Sequence, residues 1–74
     1  MAEGKVKTAE EATQIAVVFV KRYYGFVFPI ETKKEDHRWI VDLDVSVFRP
    51  KFARVKVDSV TGTVENFSVR DTRL

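Results

Sequence analysis

Residues 9–24, AEEATQIAVVFVKRYY, and residues 39–47, WIVDLDVSV, carry different hydrophobic periods, and the change falls at Gly25. In the first stretch apolar side chains recur every three or four positions, the spacing of a helix face. In the second they alternate, the spacing of a strand with one side buried. One amphipathic helix laid on an antiparallel sheet follows from that switch.

Placed at helical steps, Ala12, Ile15, Ala16, Phe19, Val20 and Tyr23 share one broad face. Glu10, Glu11, Thr13, Gln14, Lys21 and Arg22 cover the other. Val17 and Tyr24 widen the apolar arc, and Val18 stands among polar neighbours. Thr8 with Glu11 has the spacing of a capping box. The acids sit early and the bases late, as the helix dipole favours. Gly25 is read as a left-handed stop, which predicts a helix over 9–24.

Residues 26–33 read as a first strand, with Pro29 demanding an edge or a break. Residues 33–38 form a charged turn. Trp39, Val41, Leu43, Val45 and Val47 then face one way, with Ile40, Asp42, Asp44 and Ser46 facing the other. After a turn at 49–51, Ala53, Val55 and Val57 face inward, and Arg54, Lys56 and Asp58 outward. Thr61-Gly62 turns the chain again, and a last strand over 64–70 points Phe67 and Val69 inward. The predicted fold is α+β: an N-terminal helix on a four-stranded antiparallel meander, helix on one side and solvent on the other. Residues 1–7 are predicted to be a flexible start, 8–70 a single domain and 71–74 a flexible tail.

Two registers are considered for the two central strands. One sets Asp44 opposite Arg54 and Asp42 opposite Lys56. The other sets Asp44 opposite Lys56, Phe48 opposite Phe52 and Asp42 opposite Asp58. Opposite charges across a ladder favour the first by a few tenths of a kcal/mol per pair, on the order of 0.2–1.

With 74 residues, the chain has room for one small core. It has no cysteine and one histidine, so neither disulfides nor thiolate metal sites staple it. Packing must therefore supply the stability, from six Phe, two Tyr, one Trp and thirteen Val. One Asn and one Gln against 32% charged residues is a balance like that of hyperthermophile proteins. Net charge is +2, well short of the excess expected of a dedicated nucleic-acid binder. Neither a leader-like apolar run near the start nor a stretch long enough to span a bilayer is seen, which predicts a cytoplasmic chain with no membrane partner.

Asp42, Asp44 and Asp58 share a sheet face, but strand carboxylates diverge, and calcium wants six to eight oxygens. They read as a solvated face. His37 sits in a charged turn, with no nucleophile placed by sequence to partner it. There is no phosphate loop, no GxSxG and no HExxH. No cofactor and no catalytic role is expected. Phe48, Arg49, Phe52, Arg54, Arg70 and Arg73 interleave aromatic and basic character, the pattern of single-strand nucleic-acid binding. Val17, Val18 and Tyr24 are the candidate surface for a protein partner or a second copy.

Thr8-Ala-Glu-Glu-Ala12 with Ile15-Ala16, then Trp39-Ile-Val-Asp-Leu-Asp-Val45, then Val55-Lys-Val-Asp58 and Thr61-Gly62-Thr-Val64, resembles the PepSY domain. That family pairs an EEA helix with a Trp-led strand and a closing VD..TG.V. The resemblance covers most of residues 8–67. It implies a cystatin-like sheet wrapped on one helix, and a role in binding or inhibiting peptidases outside the cytoplasm. The absence of an apolar leader departs from that location. Trp39, Arg49-Pro50, Arg70 and Arg73 are also similar to gas vesicle protein O, with Asp42 and Asp44 where that family has glutamates. That resemblance implies an assembly accessory. Neither resemblance carries a catalytic residue onto this chain; the fold, the wide apolar arc and the missing catalytic set predict a non-catalytic module binding a protein or peptide, with single-stranded nucleic acid, on the basic and aromatic residues, as the alternative partner.

Overall fold

The computed structural model describes residues 5–46 and 50–71. A helix, α1 (Ala9–Val20), precedes four strands: β1 (Phe28–Glu35), β2 (Arg38–Asp44), β3 (Lys51–Asp58) and β4 (Val64–Asp71). The strands pair antiparallel in the order β1-β2-β3-β4, and the helix packs on one face of the sheet. This is the α+β meander that the change of period requires.

The core lies where helix and sheet meet. Trp39, Val41, Leu43 and Val45 are buried from one face of β2 and its extension, and Ala53, Val55 and Val57 from the same face of β3. The helix contributes Ala12, Ala16 and Val20, one every fourth residue. Two alanines at the contact let the helix axis lie close to the sheet. Thr13 helps to seat it. The Thr13 hydroxyl donates to the Ala9 carbonyl, which leaves the Thr32 hydroxyl of β1 to donate to Thr13 at 2.6 Å. The capping box forms as expected: Thr8 Oγ1 accepts from the Glu11 amide, and Glu11 accepts from the Thr8 amide.

The start of the described chain is part of the core, which corrects the expectation of a flexible segment through residue 7. Val6 is 3% exposed. Its amide donates to the Ser59 carbonyl and its own carbonyl accepts from Trp39 Nε1. A single valine among polar residues has no periodicity to betray it. What fixes it is the tryptophan, whose buried N–H needs an acceptor.

The helix also ends earlier than predicted, at Val20 rather than Tyr24. The Arg22 and Tyr23 amides donate three residues back, to Phe19 and Val20, so the last turn tightens. Gly25 is not the left-handed stop. Its backbone is outside that region, and a side chain there would meet nothing within 4 Å. Gly62 does hold φ +78°, in the β3–β4 turn. The two glycines should therefore part company under substitution. Gly25→Ala is expected to leave stability unchanged or raise it by a few tenths, up to about 1 kcal/mol. Gly62→Ala is expected to lower it by roughly 1–2 kcal/mol, the cost of a left-handed L-residue. Urea unfolding of both variants checks this.

Neither register considered from sequence is the one adopted. The strands pair Asp42 with Arg54, Asp44 with Phe52, Ile40 with Lys56 and Arg38 with Asp58. All three registers differ by even steps, so all bury the same residues. The choice falls to the connection and the outer face. Ser46 accepts from the Lys51 amide at 2.9 Å, and the Val45 amide donates to the Lys51 carbonyl. These bonds close the β2–β3 loop wider than either expectation allowed. Arg54 then meets Asp42 through two bonds of 2.8 and 3.3 Å.

β1 behaves as its proline requires. It is an edge strand, and its register shifts between Pro29 and Glu31. The turn at 33–38 is shorter than expected. β1 and β2 pair up to Glu35–Arg38, leaving Asp36-His37 as the loop, with Asp36 at φ 54°.

Candidate functional site

The register lays out the open face of the sheet in rows. Phe28, Asp44, Phe52 and Arg70 form one row. Glu31, Asp42, Arg54 and Ser68 form the next, then Lys33, Ile40, Lys56 and Asn66. Phe52, Arg54 and Arg70, singled out from sequence, are thus brought together. With Ile30, Asp42 and Ser68 they line a concavity of about 290 Å³. Phe48, Arg49 and Arg73 lie outside the described residues. Ile40, assigned to the open face, is only 6% exposed there, with Lys33 and Lys56 as its register partners.

This face is balanced in charge. Arg54 is bonded to Asp42, which holds its guanidinium more firmly in the charged form. Arg38 pairs with Glu65 at 3.0 Å. Glu31, Asp44 and Asp58 offset Lys33, Lys56 and Arg70. A polyanion approaching the sheet meets alternating signs rather than a positive groove.

The three aspartates do not converge. Asp42 serves Arg54. Asp44 accepts from the Ser46 amide at 2.8 Å, and hydrogen bonding from Ser46 holds its carboxyl below the ordinary 3.8. Asp58 accepts from the Thr61 and Val60 amides at 3.1 and 2.7 Å, which lower its carboxyl in the same way. Both groups are depressed in the folded state. Their contribution is present above the ordinary value and is lost as pH falls through the lowered one. Melting temperature is therefore expected to fall between about pH 5 and pH 2, with a shallower fall in Asp58→Asn. A pH series of thermal melts for both proteins checks the sign.

The other notable surface lies on the helix side, at the opposite edge from β1. α1 packs over β1, β2 and β3, and leaves the inward residues of β4 half covered. Phe67 of β4 meets Phe19 edge-on at 5.3 Å and stacks with Tyr23 at 5.8 Å. Tyr23, expected in the core, is 62% exposed, because the helix has already ended and the ring lies on the rim. Ile15, Val18, Phe19 and Val64 line a groove of about 350 Å³ beside the helix, rimmed by Gln14 and Arg22. Of the three residues proposed for a partner surface, Val18 is exposed, whereas Val17 and Tyr24 are half buried against the core. The role of Phe67 and Val64 at this edge was not legible, since their alternation reads the same whether or not a helix covers them.

Among the described residues, no strand pairs with the outer side of β4, and no helix is long and apolar enough to cross a membrane. No family model matches the chain, and neither a curated protein nor a solved structure matches it significantly. The likeness to PepSY domains and to gas vesicle protein O rests on the residues that carry it.

Proposed function

We propose that this chain is a non-catalytic interaction module that takes an extended protein segment as a fifth strand on β4. The observation that supports it most is the off-centre helix, which leaves an unpaired strand edge beside an apolar groove. An incoming strand gains main-chain hydrogen bonds from the edge. Its alternate side chains reach the groove, where Ile15, Val18 and Phe19 offer apolar contact. The opposite edge is ill suited to the same role. β1 carries Pro29, a register shift and paired lysines, all of which discourage strand addition.

The test is a display library of ten-residue peptides panned against the chain. Selected sequences should alternate apolar and polar residues and perturb the amides of β4 and of Val18. Val18→Glu should weaken them about tenfold, the scale of one buried apolar side chain. Selected peptides that bind without touching β4 would remove this reading.

The concavity at Phe52, Arg54 and Arg70 favours a second reading, single-stranded nucleic acid stacked on the open face. The carboxylates in the same rows oppose it. No mobility shift with oligo-dT or oligo-U at low salt is expected. A shift that fades steeply with added salt would replace the first reading with this one.

A further inference from the structure

Resting on that reading of β4, we infer that the strand it accepts is β4 of a second copy of this chain. The inference comes from the register that a two-fold axis would impose. Regular pairing of β4 with β3 runs from Asn66 to Asp71, because it shifts at the step from Val64 to Asn66, leaving Glu65 as an extra residue. The two middle residues of that run are Ser68 and Val69; an axis on Val69 would set the apolar Phe67 opposite Asp71, so the axis falls on Ser68. Placing the axis there sets Ser68 opposite Ser68, Phe67 opposite the second copy's Val69, and Asn66 opposite its Arg70.

Every one of those pairs is compatible. Phe67 and Val69 both lie on the helix side, where an aromatic residue beside a β-branched one is a favourable cross-strand pair. Asn66, Ser68 and Arg70 lie on the open side and are exposed. From Asn66 to Arg70 no like charges face each other; one step further the same register sets Glu65, which is bonded to Arg38, opposite Asp71. Phe67 already carries Phe19 and Tyr23 on it, so the axis draws two such aromatic clusters together. The exposed ring of Tyr23 would then be covered. A two-fold normal to the sheet keeps both helices on one side and continues two four-stranded sheets as one of eight strands. The interface would be isologous, the commonest form of closed dimer.

The chain contains no cysteine, so the register can be read directly. Ser68→Cys should form an intermolecular disulfide under mild oxidation, since facing strand residues fall within the roughly 4.4–6.8 Å Cα spacing a disulfide needs. Asn66→Cys, which faces position 70, should link at least about tenfold more slowly, its own copies lying four residues out of step. Sedimentation of the unmodified chain should show a dimer. Ser68→Asp sets two carboxylates opposite each other at an exposed position, and should weaken the dimer about tenfold or more while its melting curve in the monomer range is kept. Equal linking rates for the two cysteine variants, or a dimer indifferent to Ser68→Asp, would overturn the inference. So would a monomer at concentrations up to about 1 mM. A monomer that still binds the selected strand peptides at β4 would remove the second copy alone. A monomer that binds none would remove the proposed function with it.

Discussion

Replacing Trp39 with alanine is expected to cost about 3–5 kcal/mol. For a domain this small that approaches the whole stability, which for folded domains runs from roughly 5 kcal/mol upward. Two losses combine. The indole is 8% exposed, and its removal opens a cavity between sheet and helix. Its Nε1 also donates to the Val6 carbonyl at 3.2 Å, so that acceptor is orphaned. Trp39→Phe separates the two. It keeps most of the packing and loses the hydrogen bond, an expected cost of about 1–3 kcal/mol. Hydrogen exchange then distinguishes them further. The Val6 amide, bonded to Ser59, should exchange faster in Trp39→Phe while the amides of β2 and β3 stay protected. A Trp39→Ala melt close to the parent's would refute this placement of the core.

Leu43→Ala should cost about 2–5 kcal/mol. Leu43 is fully buried, with Pro29 and Ala53 as its register partners. Neither neighbour can swell to fill the space. Proline is rigid, and alanine is already the smallest side chain with a Cβ. The cost should therefore fall in the upper half of that range. Denaturant unfolding monitored by far-ultraviolet circular dichroism gives the number. Leu43→Met, close in volume, should cost less than about 1.5 kcal/mol.

The layers were legible because burial has a period. Residues 39–45 alternate, and the structure buries Trp39, Val41, Leu43 and Val45 as that alternation demands. Register was not legible, because pairings two residues apart bury the same set. The decision rests on the Ser46–Lys51 bonds in the loop and on Asp42 meeting Arg54, and neither leaves a mark on hydrophobicity. Val6 was missed for a similar reason: one apolar residue has no period. The helix end was misplaced because Gly25 looked like a stop, while the chain had already turned at Lys21 to lay Tyr23 on Phe67.

The candidate surfaces divide in the same way. Phe52, Arg54 and Arg70 were found by their composition, and the ladder does gather them. Composition could not say that Asp42 would answer Arg54, and this weakens the basic character of the face. The edge at β4 depends on where the helix sits across the sheet. That placement is set by Ala12, Ala16 and Val20 seeking the deepest contact, which is a property of the assembled layers and not of any segment.

The route of the backbone has a mechanical consequence. Residues 5 and 6 are fastened beside the β3–β4 turn, at Ser59 and Val60, whereas Asp71 pairs with Lys51 at the far end of β3. Tension applied between Lys5 and Asp71 would run along the strands. The backbone of β4 would itself carry that load to the turn, so the bonds that fasten residues 5 and 6 to Val60 and Ser59 would bear it before any rung between β3 and β4 did.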